Sequence, residues 1–392
     1  MSSLLENGFR LRPVSTLTVE LPLSKSIFIR KLVLQFLNRQ PLTAPDQQAA
    51  EDIQITYYAL STVYQYLNKA DNAFTPIHVG DCGAAFRFLM AVLAITPGHW
   101  LLTGSERLLQ RPILPLVNAL HSIGADIAPT ADGWRITGQP LHAQQIRIDG
   151  SESSQFVSAL LLIAKHIGNP AIEYQRSTQP SEPYISMTEA LIAQYDQQGS
   201  CAIERDWSAA IFWYALCALG GAQQILLKGL TLPSLQGDAI IAQWFEELGV
   251  CTTLTDEGVV IRKNGKTLQY EHQLNLIHNP DLAPALTVMA TMMPIRLTLK
   301  GLHNLKHKES ERKTNLMTSL TALDAPDEDT LIITGNDSEN ATSLVMDSHG
   351  DHRLVMAYSL LALKRTIAIA GADCVRKSYP QFAEELKKIM AS

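Results

Sequence analysis

One short pattern recurs three times along this chain, and it constrains the fold more than any single element. Residues 116–127 (LVNALHSIGADI) read as an amphipathic helix, a glycine stop and a strand, and residues 132–136 (DGWRI) as a turn and a return strand. The same order recurs at 242–249 (AQWFEELG) with 256–261 (DEGVVI), and at 315–324 (NLMTSLTALD) with 329–333 (DTLII). Glycine after the last apolar turn is a C-cap signal, and Asp-Gly between apolar runs is a hairpin signal. One helix on a small sheet cannot hide its apolar face alone, so several such units must pack together.

Between the copies lie further apolar helices, at 32–37, 86–95, 156–166, 187–195, 209–219, 282–293 and 354–363. The reading is an α/β protein with short strands and with helices packed inside the sheets. A length of 392 residues suggests two or three domains. With 46% hydrophobic and 18% charged residues, a large core is easily built. A boundary is expected near Leu235, where 233–238 (PSLQGD) follows an apolar strand.

A second recurrence bears on chemistry. A loop of glycine and small hydroxyl residues precedes an apolar helix at 22–30 (PLSKSIFIR), 80–87 (GDCGAAFR), 150–155 (GSESSQ) and 348–353 (SHGDHR), with a basic residue in all but the third. Helix N-termini offer unpaired N–H groups and partial positive charge, a seat for phosphate or carboxylate. Four such seats suggest a pocket for a small, multiply anionic substrate. The formal net charge of −6 argues against general nucleic-acid or membrane-surface binding. The five cysteines are scattered, with no C-x-x-C pair, as expected of reduced thiols in a cytosol rather than of disulfides or zinc. The first ten residues are too polar for a signal peptide. The longest apolar stretch, 209–222, is too short to span a bilayer and reads as a buried helix.

Several residues carry two readings each. Lys25 and Arg30, at a helix start, are either solvated or facing an anion. Ser153, Ser154 and Gln155 are either a plain cap or a phosphate or polyol seat. Residues 303–312 (HNLKHKESER) form the densest polar cluster. On one helix Lys308 and Arg312 would share a face beside Glu309, suited to proton shuttling and anion grip; alone, the cluster reads rather as an exposed charged turn. Asp281 is an N-cap by default, or a base at the mouth of an apolar helix. Lys377 reads as a surface lysine, and Cys82 as a small buried residue. No Walker A, G-x-G-x-x-G or H-E-x-x-H motif occurs, so nucleotide and zinc chemistry are not indicated.

Taken in order, these segments resemble the 5-enolpyruvylshikimate-3-phosphate synthase family, over nearly the whole chain from about 21 to 389. Ser24-Lys25-Ser26 with Arg30 is similar to its S-K-S-x-x-x-R segment, and Gly83 to Arg87 to its N-A-G-T-A-x-R loop. Residues 102–113 (LTGSERLLQRPI) are similar to its L-T-G stretch ending in R-P-I. Ser153 to Gln155 match S-S-Q, Ser181 to Tyr184 match S-x-P-Y, and Asn304, Lys308, Glu309 and Arg312 match N-x-x-x-K-E-x-x-R. Asp351 to Arg353 match D-H-R, and Lys377 to Pro380 match K-x-x-P.

The resemblance implies a two-domain enolpyruvyl-transferase fold, each domain built of three βαβαββ repeats. The first lobe would be 22–235, on the shikimate-3-phosphate side. The second would be 1–21 plus 236–392, on the phosphoenolpyruvate and acid/base side, with the active site in a cleft that closes on substrate. By the same resemblance, Arg30, Ser153, Ser154 and Ser181 would hold shikimate-3-phosphate, with Gln155 and Tyr184 beside the ring. Lys25 would sit between both substrates. Arg111, Arg312, Arg353 and Lys377 would bind phosphoenolpyruvate, with Gly83 close by, and Ser26, Asn304 and His352 complete the binding set. Asp281 would take the proton of the 5-hydroxyl, and Glu309 with Lys308 would protonate the enolpyruvyl methylene. No metal or organic cofactor, nucleic acid or membrane is implied, and a cytoplasmic monomer is expected. Leu23, Phe28, Ile29, Ala84, Glu182 and the pair His349-Gly350 depart from the family pattern without touching the charged set. The alternatives are the UDP-N-acetylglucosamine enolpyruvyl transferase, which shares the fold, and an inactive anion-binding relative.

Overall fold

The computed structural model describes residues 3–67, 73–175, 180–336 and 343–391. The chain folds into two compact units, one of Lys25–Ile203 and one of Met1–Ser24 with Glu204–Ser392. Residues 204–235, expected in the first lobe with a boundary near Leu235, lie in the larger unit. The reason is pairing: the strand Ala222–Lys228 runs parallel to the N-terminal strand Val14–Glu20, with Thr18 opposite Leu226. The two chain passages between units pair as well, Leu23 with Arg205, and Ser24 N–H donates to the Glu204 carbonyl at 2.8 Å.

The sequence repeat is a structural one. In the smaller unit, the strands Thr75–His78, Gly98–Thr103, Asp126–Thr130 and Gly133–Gly138 form a sheet in which the first two are parallel and the last two a hairpin. The helix Gly83–Ile95 makes the crossover, and Leu114–His121 precedes the hairpin. The larger unit builds the same sheet twice: once from Val14–Glu20, Ala222–Lys228, Val250–Thr255 and Gly258–Lys263, and once from Glu271–Asn275, Arg296–Lys300, Leu323–Asp324 and Leu331–Thr334. All three are complete βαβαββ units. Two further units, Gln145–Arg147 with Ala171–Glu173 and Leu344–Asp347 with Ile367–Ala370, stop at the parallel pair among the described residues.

The crossover helices are apolar on every side because they lie inside. All twelve residues of Trp207–Ala218 are buried, and eleven of the thirteen in Gly83–Ile95. A helix hydrophobic all round belongs in a core. In the larger unit one continuous apolar cluster runs from Leu5 to Ile389. The polar N-terminal ends of these core helices are left for other work.

Candidate active site

In the smaller unit the helices Lys25–Leu37, Gly83–Ile95, Ser154–Ile163 and Glu182–Gln198 pack against one another. Buried cations tie them together. The Arg30 guanidinium donates from Nε to Thr188 Oγ1 at 2.7 Å, from Nη1 to the Ser26 carbonyl at 2.9 Å, and from Nη2 to the Tyr184 carbonyl at 3.2 Å. It also stands over the Phe88 ring. Burial pushes its pKa down to about 10, so it remains charged at neutral pH. Four of its five N–H groups bond the protein, counting a 3.4 Å bond to Ser158 Oγ, and these fix in place the guanidinium that the resemblance expects to face shikimate-3-phosphate.

Arg87 ends the glycine-loop motif, and the resemblance gives it no role of its own. Its Nη1 donates to Gln155 Oε1 at 2.9 Å and its Nη2 to the Pro112 carbonyl at 2.9 Å, joining the glycine loop to the S-S-Q segment. Arg87 and Arg111 meet over Gly83. A Cβ added there would lie 2.7 Å from Arg87 Nη1 and 2.9 Å from Arg111 Nη1, so a side chain at this position would push one of the two guanidinium groups aside. Cys82 is buried and caps this helix, its Sγ accepting from the Ala85 N–H.

Ser153 is the N-cap of its helix, its Oγ accepting from the Gln155 N–H at 3.3 Å. Ser154, next to it, is buried. Ser181 precedes its helix in a left-handed conformation, φ +55°, and its hydroxyl does not cap. A non-glycine residue in that region is uncommon and is often found where function demands it. Tyr184 lies one turn on. Lys25 opens its helix, where a cation opposes the dipole. The nearby carboxylate it needs is Asp52, 2.8 Å from Nζ and almost wholly buried.

In the larger unit one guanidinium organises three acids. Arg312, 1% exposed at its side chain, donates from Nε to Asp351 Oδ2, from Nη1 to Asp281 Oδ1 and from Nη2 to Glu309 Oε2, each at 2.7 Å. Burial would depress its pKa, but Asp351, Glu309 and Asp281 together raise it well above its ordinary value. Lys308 Nζ is 3.0 Å from Asp281 Oδ1, and Arg353 Nη2 is 3.8 Å from Asp281 Oδ2. Burial pushes the Asp281 carboxyl up, but Lys308, Arg312 and Arg353 outweigh it and hold it well below the usual carboxylate range.

Three local expectations are corrected here. Lys308 and Arg312 do not share a helix: Lys308 closes the 3-10 turn His303–His307, and the helix starts afresh at Arg312. Both still reach the same oxygen of Asp281. Asp281 is not an N-cap; it lies in the turn Pro280–Leu282, and its carboxylate is taken by cations. The cap that matters is Asp351, fully buried, which accepts from the Arg353 N–H at 2.9 Å and from Ser310 Oγ at 3.1 Å. Asp351 thus orients Arg312 and Arg353 together. His352 is buried in the same first turn. Asn304 lies in the 3-10 turn ahead of Lys308. Lys377 is not a surface lysine: it is 8% exposed and ends the turn Ala372–Lys377, which packs on the helix His352–Ser359.

Each unit carries a charged cluster of its own. The smaller presents helix mouths, hydroxyl groups and clustered cations. The larger presents Asp281 and Glu309 held on a common guanidinium among further cations. Among the described residues no group of acids, histidines and cysteines is placed to hold a metal ion, and no helix is long and apolar enough to cross a membrane.

The family model of EPSP synthase (3-phosphoshikimate 1-carboxyvinyltransferase) matches residues 15–198 and again 193–386. The chain belongs to the EPSP synthase family. The 3-phosphoshikimate 1-carboxyvinyltransferase of Bacteroides fragilis is 32% identical to it over 95% of this chain and 94% of that protein. The one from Photobacterium profundum is 29% identical over 97% and 98%. Among solved structures, EPSP synthase from Acinetobacter baumannii superposes with a TM-score of 0.71 at 19% identity, covering 98% of this chain and all of that one. The enolpyruvyl transferase NikO from Streptomyces tendae does so with a TM-score of 0.69 at 13% identity, covering 97% of each. These two share the fold.

Proposed function

We infer that this chain transfers the enolpyruvyl group of phosphoenolpyruvate to the 5-hydroxyl of shikimate-3-phosphate and releases phosphate. This is a step of the shikimate pathway toward aromatic amino acids. Family membership over nearly the whole chain supports the reaction. The observation that carries the residue roles is the pair Asp281 and Glu309, both bonded to Arg312 at 2.7 Å.

The reaction needs a proton removed from a hydroxyl and a proton added to a methylene. Asp281 accepts the proton of the 5-hydroxyl as that oxygen bonds to C2 of phosphoenolpyruvate. Glu309, beside Lys308, delivers a proton to C3. The product of addition is a tetrahedral ketal. Return of a C3 proton to Glu309 and departure of phosphate, which takes the proton held by Asp281, then restore the double bond, so each acid ends as it began and atoms and charge balance. Lys308, Arg312, Arg353, Lys377 and Arg111 offset the phosphoenolpyruvate charges, and fixed cations in a water-poor site are the strongest available contribution. Arg30, Ser153, Ser154 and Ser181 hold shikimate-3-phosphate, with Gln155 and Tyr184 beside the ring. Lys25, Ser26, Gly83, Asn304 and His352 complete the binding set.

Binding and base strength are linked. In the free chain the cations are turned on Asp281. Phosphoenolpyruvate competes for them, and each cation it draws off lets the carboxyl rise toward the range of a useful base. The chain is taken to work in the cytoplasm as a monomer. Its five cysteines are all thiols, which suits that compartment, and a sedimentation measurement tests the monomer.

A phosphate-release assay tests the reading. Phosphate should appear with shikimate-3-phosphate plus phosphoenolpyruvate and not with UDP-N-acetylglucosamine plus phosphoenolpyruvate. The reverse preference selects the sister transferase, and silence with both pairs selects an anion binder.

A further inference from the structure

Asp238 is a buried acid to which the roles above give no task. It lies in the short turn Gly237–Ile240 and is 1% exposed. Its Oδ1 accepts from Asn279 Nδ2 at 2.8 Å, and its Oδ2 accepts from Ser208 Oγ at 2.5 Å. Each partner leads to the acid cluster. Asn279 is buried and stands two residues before Asp281, across Pro280. Ser208 gives its carbonyl to Arg353 Nη1 at 2.7 Å, and Nη2 of that guanidinium faces Asp281 Oδ2. Asp238 therefore holds the Asp281–Arg353 pair from behind at both ends.

Those hydrogen bonds do not require a charge. An asparagine amide would accept from Asn279 and donate to Ser208 Oγ in the same space. A buried carboxylate carries a desolvation cost that the amide would not. Burial first, and the like charge of Asp281 next, push the Asp238 carboxyl up, while Asn279, Ser208 and Arg353 pull the other way. A carboxyl raised on folding binds its proton more tightly folded than unfolded, so ionised Asp238 subtracts stability at neutral pH. Stability alone would favour the neutral residue.

We propose that Asp238 is a positioning residue for Asp281: it fixes the turn carrying that carboxylate and the carbonyl anchoring Arg353, and its negative charge strengthens Asp281 as a base. The proposal rests on the reading of Asp281 as proton acceptor. The charged groups facing Asp281 are Lys308, Arg312 and Arg353, opposed by Glu309 and Asp238. Removing one of these opposing acids leaves Asp281 more firmly ionised and a poorer acceptor.

The test measures phosphate release across pH and thermal melting for wild type, Asp238→Asn and Asp281→Ala. Asp238→Asn should melt at or above the wild-type temperature at pH 7 and lose roughly tenfold in kcat. The acid limb of its kcat profile should move down by about half to one pH unit. A double-mutant cycle with Asn279→Ala should be non-additive in kcat. Wild-type kcat and limb in Asp238→Asn overturn the proposal. So does a lower melting temperature with an unmoved limb, the mark of a merely structural part. If Asp281→Ala turns over normally, the base assignment falls and this inference with it. If Asp281→Ala is inactive while Asp238→Asn behaves as wild type, this inference alone falls.

Discussion

In the proposed mechanism Asp281 is an anion at rest and a proton acceptor in turnover. Three cations hold it ionised in the free chain, and substrate must loosen that hold. The acid limb of kcat is therefore expected at higher pH than that of kcat/KM for phosphoenolpyruvate, measured at saturating shikimate-3-phosphate; coincident limbs would contradict the exchange of partners. Asp281→Ala and Glu309→Gln should each lower kcat by about 10²–10⁴ with the fold intact by circular dichroism. Asp351 has a different task. It is the fully buried partner of Arg312, and Asp351→Asn leaves that guanidinium undercompensated, at a cost of about 3–5 kcal/mol in denaturant unfolding. The linkage sign for Asp281 follows from its depressed value. Its contribution to stability is fully present above the ordinary 3.8 and is lost only as pH falls below that through the folded value.

At the scale of elements, the repeat was legible because two copies state their own helix stop and hairpin and the third repeats their order. The third copy shows what the pattern tolerates. Where the first two copies place Gly124 (φ +93°) and Gly249 (φ +92°) between helix and strand, the third places Ala322 at φ +68°, and its following strand is two residues long. An alanine in the left-handed region carries roughly 1 kcal/mol of strain. Ala322→Gly should leave the fold unchanged and stabilise it by up to about 1 kcal/mol in a urea titration; destabilisation would show that the neighbourhood has absorbed the strain. The helix mouths were legible too, since serine, glycine and Asp-His-Arg ahead of apolar runs are local signals. Their buried partners were not. Asp52 lies 27 residues from Lys25, Gln155 68 residues from Arg87, and Asn279 41 residues from Asp238. No local periodicity reports such pairs. Lys308 and Arg312 misled in the opposite way, their four-residue spacing mimicking one helix where the chain makes a turn and then a helix.

For the whole molecule, the charge balance differs between the units. The smaller gathers Lys25, Arg30, Arg87 and Arg111 near helix N-termini, and the larger sets Asp281, Glu309 and Asp351 against Lys308, Arg312 and Arg353. A chain of net charge −6 thus carries local cation clusters in both units, and the one in the larger unit holds Asp281 ionised. Gly83→Ala forces Arg87 or Arg111 aside and should raise KM for phosphoenolpyruvate about tenfold or more with a smaller effect on shikimate-3-phosphate. The most direct measurement of the account is a single turnover with the chain in excess over both substrates, its products weighed by mass spectrometry. One phosphate and one enolpyruvyl ether should form for each shikimate-3-phosphate consumed. Phosphate without the ether, or neither product, would contradict it.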